Sequence, residues 1–285
     1  KTDKRDNHGK RNSPARKAQN SFQVMVRFVS LSSGSSGNCY YFGNKRKSIL
    51  IDVGIGARAI KKRLLNYDIP IECISAVFVT HDHFDHIKSL GTFSERYNVP
   101  VYATDKLHKA LRRNFCIGDR LSGNERYLIE NQTNDVDGIK VVPFEVPHDA
   151  TQTVGYHIDF DGCLITVMTD IGSVTEDAVR YARKARHLIA ESNYDMDMLM
   201  TGDYPRVLKE RIMMGNGHLS NEQNSHLLRM CNHPELKDVF LCHLSGNNNT
   251  PQTAYDIAKA TLSSIGSQAS LHCLPRSESS ELFEL

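Results

Sequence analysis

Apolar residues along this chain fall into short blocks of two kinds. Blocks of the first kind are nearly continuous: VMVRFVSL (24–31), NCYYFG (38–43), KSILIDVG (47–54), ISAVFVT (74–80), VPVYAT (99–104), IKVVPFEV (139–146), TVGYHIDF (153–160) and CLITVMTD (163–170). Each is rich in β-branched and aromatic side chains and reads as a strand. Blocks of the second kind space their apolar residues by three or four. In ARAIKKRLLNYD (57–68), Ile60, Leu64 and Leu65 gather on one side, as on an amphipathic helix. Helical patterns recur over 86–97, 174–184, 205–214, 220–230 and 252–264, and short strands fit at 186–191, 237–242 and 269–274. Strands with interleaved helices thus occur twice over, which predicts a layered α/β protein. No internal repeat and no linker splits the chain.

Composition narrows the partners. At 285 residues, 40% apolar and 24% charged, the chain has the make-up of a soluble globular protein with one sizeable core. Its net charge of +2 is unevenly spread: residues 1–20 hold seven Lys/Arg against two Asp, leaving 28 basic and 31 acidic side chains beyond them. A body of charge −3 is not a generally basic nucleic-acid binder, so any phosphate it recognises must meet a local patch or metal ions. The seven cysteines are odd in number and contain no C-x-x-C, which argues against a disulfide framework or a zinc ribbon and fits a reducing cytoplasm. No apolar run approaches the roughly 18 residues of a membrane span. The N-terminal stretch has charge but no apolar core, so it does not read as a secretory signal.

The densest chemistry sits in VTHDHFDH (79–86), directly behind the apolar run ISAVFV. A strand that ends in a loop exposes its last side chains at the sheet edge. His81 and His83 can converge there on one cation, while Asp85 and His86, at the turn into the next helix, can reach a second. Imidazole and carboxylate together suit Zn²⁺ or Mn²⁺.

This H-x-H-x-D-H stretch resembles the metallo-β-lactamase superfamily. The resemblance implies an αββα sandwich with a metal site along one edge, and it asks for three more ligands at later strand ends. His148 in FEVPHDA, Asp170 in LITVMTD and His243 in DVFLCHLS meet that demand. On this reading His81, His83 and His148 hold one ion, Asp85, His86 and His243 hold the other, and Asp170 is shared. Two divalent ions about 3.5–4 Å apart activate a water and neutralise charge on the attacked group, which favours phosphate esters.

Two further stretches select a branch. GHLSNEQNSHLL (217–228), followed by LKDVFLCHLS (236–245), resembles the tRNA-maturation ribonucleases, in which a histidine before the last ligand assists phosphodiester cleavage. Here that residue is His218, and the expected catalytic residues are Asp85 and His218. SLSSGSSGNCYYFG (30–43), together with ILIDVG, THDHFDH, ESNYD (191–195), GHLSN and CHLSGNNNTP (242–251), resembles the YycJ/WalJ family over residues 25–275. That resemblance implies a 5′→3′ exonuclease acting on duplex DNA, linked to repair, with Ser33, Ser35 and Asn38 as substrate contacts. It leaves residues 1–24 as a flexible basic tail or a start artefact, with Met25 as a natural start, and 276–285 as a C-terminal tail. Residues between Asp170 and His243 are expected to cover the site, with Tyr194, Tyr204 and Arg206 as candidates to face substrate or simply to pack. The rivals are a metal-dependent ribonuclease, a thioester or lactone hydrolase, whose thiolate product leaves without an acid, and a metal-binding regulator without turnover. Gly54 and Gly56 form only G-x-G, too little for a dinucleotide fingerprint. Cys242 is expected in the core, on the opposite face of its strand from His243.

Overall fold

A computed structural model describes residues 25–285. The first half of the chain builds one sheet. β1 (Arg27–Gly34), β2 (Gly37–Gly43) and β3 (Ser48–Ile51) form an antiparallel meander. Helix α1 (Ala57–Leu65) crosses to β4 (Ile74–Phe78), parallel to β3. α2 (Phe84–Ile87) and α3 (Leu90–Tyr97) lead to β5 (Val101–Thr104), and α4 (Asp105–Arg113) leads to β6 (Glu125–Leu128). The second half repeats the plan. β7 (Asn134–Val136), β8 (Ile139–Glu145), β9 (Val154–Phe160) and β10 (Cys163–Met168) form a meander. Parallel strands follow: β11 (His187–Glu191) after α5 (Glu176–Ala182), then β12 (Asp238–Cys242) after α6 (Met196–Thr201), α7 (Arg206–Met213) and α8 (Asn221–Cys231). After α9 (Pro251–Ser264) comes β13 (Ser270–Cys273), and β14 (Phe283–Glu284) returns to pair with β1.

The sheets run β14-β1-β2-β3-β4-β5-β6 and β13-β12-β11-β10-β9-β8-β7, seven strands each among the described residues. Three apolar layers make this an αββα sandwich, as the resemblance implied. Alternate residues of one strand enter different layers. In β2, Cys39 and Tyr41 pack with α1, α3 and α4, whereas Tyr40 and Phe42 face the other sheet. In β12, Val239 and Leu241 pack under α5, α8 and α9, whereas Phe240 and Cys242 point between the sheets. A strand covered on both faces is apolar at most positions. That is why these strands appear in sequence as unbroken blocks.

Five elements lie outside the sequence expectation, one of them β14 in the expected C-terminal tail. α4 buries only Leu107, His108 and Leu111 under a heavily charged surface, too narrow a stripe to stand out. β6 and β7 are short sheet-edge strands with exposed polar positions, and α6 is a six-residue helix. The pattern over 86–97 divides at Lys88 and Ser89 into α2 and α3. Residues 276–285 are not a free tail: the Arg276 carbonyl accepts from Ser33 N, Ser280 N donates to the Ser30 carbonyl, and Phe283 packs on Phe28. The expected tail over 1–24 lies outside the described residues. No helix among the described residues is long and apolar enough to cross a membrane.

One glycine ties the fold to the loop that carries VTHDHFDH. Gly54 N donates to the Asn38 carbonyl, and a Cβ on Gly54 would stand 1.6 Å from the Asp85 carbonyl oxygen. A methyl there must push the α2 turn away. Gly54→Ala is expected to destabilise the fold by about 1–3 kcal/mol, the range for overpacked interiors. Gly215→Ala, whose new methyl meets only Ser173 Oγ at 3.9 Å, should stay near wild type. Urea midpoints of the two variants decide; equal midpoints would sink the packing argument.

Candidate metal centre

The carboxyl ends of β3, β4, β10, β11 and β12 gather at one edge of the sandwich, and each ends in a polar residue that turns inward. Asp52 follows β3, His81 follows β4, Asp170 follows β10, Glu191 closes β11 and His243 follows β12. Asp52, Asp170 and His243 adopt φ of 60°, 52° and 53°. This left-handed backbone is uncommon outside glycine, although Asp and His tolerate it better than most, and each instance costs roughly 1–3 kcal/mol. The turn redirects the side chain from the strand's alternation into the shared edge.

Five imidazoles meet there, and each has one ring nitrogen engaged away from the centre. His83 Nε2 donates to the Asp149 carbonyl (3.2 Å) and His148 Nδ1 to the Gly217 carbonyl (2.7 Å). Carbonyls only accept, so in a neutral ring of this kind the other nitrogen carries the lone pair. His86 Nδ1 donates to Asp52 Oδ2 (2.7 Å) and His243 Nδ1 to Glu191 Oε1 (2.8 Å). The Thr80 hydroxyl donates to Asp52 Oδ2 and accepts from His81 Nδ1 at 3.0 Å. Second acceptors of this kind fix the tautomer of metal-binding histidines.

The free nitrogens and two carboxylates then converge. His148 Nε2 lies 3.3 Å from His83 Nδ1, and both share a cluster with His81. Asp85, His86 and His243 form a second cluster: Asp85 Oδ2 is 3.6 Å from His86 Nε2 and 3.7 Å from His243 Nε2. Asp170 stands between, 3.1 Å from His86 Nε2, 3.2 Å from His243 Nδ1 and 3.8 Å from His148 Nε2. All seven residues expected as ligands are therefore brought together. The fit to divalent ions rests on two buried atoms, His81 Nε2 and His243 Nε2, which have no hydrogen-bond partner. Buried nitrogens facing acids without a partner are costly unless a cation completes them.

Electrostatics agree. Burial holds His81 and His148 below the ordinary imidazole range. Burial also opposes charge on His86 and His243, but Asp170 and the neighbouring acids overcome it, driving His86 well up and His243 to about 10. Burial works against the charge on Asp170 too, yet His243 and His86 hold it well below the usual carboxylate range.

His218 stands beside this cluster. Its Nδ1 donates to Glu191 Oε1 (2.7 Å), and its ring lies 5.0 Å from His148 and 5.3 Å from His243. Burial opposes its charge, but Glu191 raises its pKa above the usual value. Glu191 and Asp52 were missed by sequence reasoning. Both are fully buried, and Glu191 accepts from Ile171 N and Leu219 N as well as from two imidazoles. With its oxygens so occupied, Glu191 positions ligands rather than serving as one. The available signal was an acid closing an otherwise apolar strand, HLIAE or SILID.

The three expected substrate contacts divide. Ser35 lines the open cavity of about 260 Å³ over the cluster, with Asn193, Tyr204, Arg211 and Ser245. Ser33 and Asn38 are buried. The Ser33 hydroxyl pairs with Tyr40 and accepts from His243 N, and Asn38 Nδ2 lies 2.9 Å from His86 Nε2. These two brace the ligands instead of facing the cavity. Tyr204 reaches the cavity; Tyr194 is core, and Arg206 pairs with Glu210 at the surface. α7 overhangs the mouth through Leu208, Arg211 and Ile212, and none of its residues is buried. Arg211 is held by Asp149. Cys242 lies between the sheets, away from the cluster.

The family model of the Beta-lactamase superfamily domain matches residues 47–243. The chain is 32% identical over 229 residues to exodeoxyribonuclease YycJ of Bacillus anthracis, spanning 80% of this chain and 86% of that protein. It is 29% identical over 234 residues to exodeoxyribonuclease WalJ of Streptococcus pneumoniae serotype 2, spanning 82% and 87%. The metallo-beta-lactamase fold protein YhfI of Bacillus subtilis shares the fold with a TM-score of 0.69 at 16% identity, covering 92% of this chain and all of that one.

Two measurements probe the centre without any assay of turnover. Asp52→Asn and Glu191→Gln each remove an acceptor behind an imidazole and should weaken Zn²⁺ or Mn²⁺ affinity about 10–100-fold in competition with a chelating dye. Unchanged affinity would mean the buried acids do not orient ligands. Because His243 titrates near about 10 before an ion arrives, it is charged at neutral pH and must lose its proton to ligate. Metal titration calorimetry near neutral pH should therefore release at least about one proton per chain, seen as heats that vary with buffer ionisation enthalpy. Affinity should rise as pH rises toward that value. Buffer-independent heats would contradict this.

Proposed function

The chain belongs to the beta-lactamase superfamily and, within it, to the family of the exodeoxyribonucleases YycJ and WalJ; from that premise we propose that this metal-dependent hydrolase is a two-metal phosphodiesterase degrading DNA from the 5′ end. The observation that carries the reading is the Glu191–His218 pair beside the ligand cluster. Esters whose product leaves easily need no acid there, whereas a sugar oxygen leaving phosphorus does.

His81, His83 and His148 would hold one divalent ion and Asp85, His86 and His243 the other, with Asp170 between them. Zn²⁺ or Mn²⁺ bound there supplies Lewis acidity, lowering the pKa of a water and neutralising phosphate charge. The chain's own groups do the rest. Glu191 fixes the His218 ring by its Nδ1, which leaves Nε2 to deliver a proton to the departing oxygen. Asp52 and Glu191 accept from the Nδ1 of His86 and His243 and so hold these rings with Nε2 turned toward the centre. Ser35, Tyr204 and Arg211 line the approach and would contact the phosphate chain. The seven cysteines are all unpaired, which accords with a cytoplasmic enzyme, and trimming duplex ends there suits DNA repair.

The test is to incubate the protein with 5′- or 3′-labelled duplex DNA, single-stranded DNA and RNA in Mn²⁺ or Zn²⁺. Stepwise release from the 5′ end of duplex DNA is expected. His218→Ala should retain metal yet slow turnover about 10²–10⁴-fold, while His81→Ala should lose both. Preferential digestion of RNA would move the protein to the ribonuclease reading. Turnover of thioesters alone, with His218→Ala unimpaired, would discard the phosphodiester reading altogether.

A further inference from the structure

A second surface, away from the ligands, carries the opposite charge sign from the chain beyond its first 20 residues. A groove between α1 and α3 is lined by Arg58, Lys61, Lys62, Leu65, Asn66, Arg96 and Tyr97. Four of these seven are cations and none is an acid, although residues beyond the first 20 carry 28 basic against 31 acidic side chains. Arg58, Lys61, Lys62 and Leu65 recur at helical spacing, so they share one exposed face of α1 while Ile60 and Leu64 are buried beneath.

The groove's first helix starts a few residues after the loop that braces the centre. α1 follows β3 across a short loop holding Asp52, which bonds His86, and Gly54, which bonds Asn38. Arg58 therefore sits in the turn of α1 nearest the ligands. α1 then carries the cationic face outward for about 10 Å at 1.5 Å per residue, toward Arg96 and Tyr97 at the far end of α3.

We propose that this groove binds the phosphate backbone of duplex DNA flanking the strand end held at the metal centre. The inference rests on the nuclease reading for its choice of polyanion and on the acid-free lining for its location. Four clustered cations match a backbone that carries one charge per about 1.7 Å of duplex, and binding would release condensed counterions. Arg96 and Tyr97 add a planar cation and an aromatic ring at the outer end, with the guanidinium 5.6 Å from the ring centroid.

The experiment measures binding apart from cleavage. A fluorescein-labelled duplex of about 30 base pairs is titrated in EDTA with wild type, with Arg58→Ala/Lys61→Ala/Lys62→Ala/Arg96→Ala, and with Lys45→Ala/Arg46→Ala/Lys237→Ala/Lys259→Ala. The last set removes equal charge from exposed positions: Lys45 and Arg46 in the turn before β3 and Lys237 just before β12, at the opposite end of the strands, and Lys259 on α9. The groove variant should bind at least about tenfold more weakly. Its slope of log K against log salt should shrink by about 3–4, at roughly 0.9 per phosphate contact. It should still cleave a dinucleotide too short to reach α1. Equal weakening by both sets would overturn the proposal. So would unchanged duplex binding alongside lost binding to phosphatidylglycerol vesicles, which would assign the groove to a membrane. Selective loss of duplex binding in a protein that cleaves no nucleic acid would uphold the groove and reject the nuclease reading of the centre.

Discussion

A carboxylate buried behind the imidazoles is the interaction on which the centre depends. Asp52 and Glu191 are fully buried. A buried charge survives only when it is paired and hydrogen-bonded. Each acid meets that requirement by accepting from backbone or hydroxyl groups and from an imidazole. The relation is mutual. The acid is tolerated because the imidazole is there, and the imidazole turns its Nε2 to the centre because the acid accepts from its Nδ1. Specificity for a cation is thus built one layer below the atoms that would touch it.

The sandwich supplies the convergence. Parallel strands from both sheets finish at the same edge, and their connections run over the outer faces. Polar residues that follow buried strands therefore collect without any one segment having to contain them all. Left-handed backbone at Asp52, Asp170 and His243 completes the arrangement. Without it, strand alternation would direct those side chains into an apolar layer.

Much of this was readable beforehand. VTHDHFDH behind ISAVFV marks a strand-end cluster by its own density, and the unbroken apolar blocks marked the doubly covered strands. His148, Asp170 and His243 became legible only through resemblance, because a single His or Asp at a strand end has many ordinary roles. Asp52 and Glu191 stayed hidden for a physical reason: an acid after ILI or LIA looks like the polar end of a strand, and its nearest partners lie 28 and 20 residues away. Ser33 and Asn38 were misjudged because a Gly/Ser-rich stretch suggests an open loop. Here both residues lie in strands, buried under the ligands, and only the turn at Ser35 and Ser36 is exposed. The C-terminal segment looked free because a two-residue strand has no periodicity to detect.

The cavity has walls of unequal commitment. Its floor is strand-end residues locked by buried acids, where almost any replacement leaves an uncompensated charge. Its overhang, α7, buries no residue, so substitutions there cost little stability. Descendants of this chain can therefore alter the shape of what they admit while the chemistry beneath stays fixed. The scaffold confines evolutionary drift to the part of the molecule that selects among substrates.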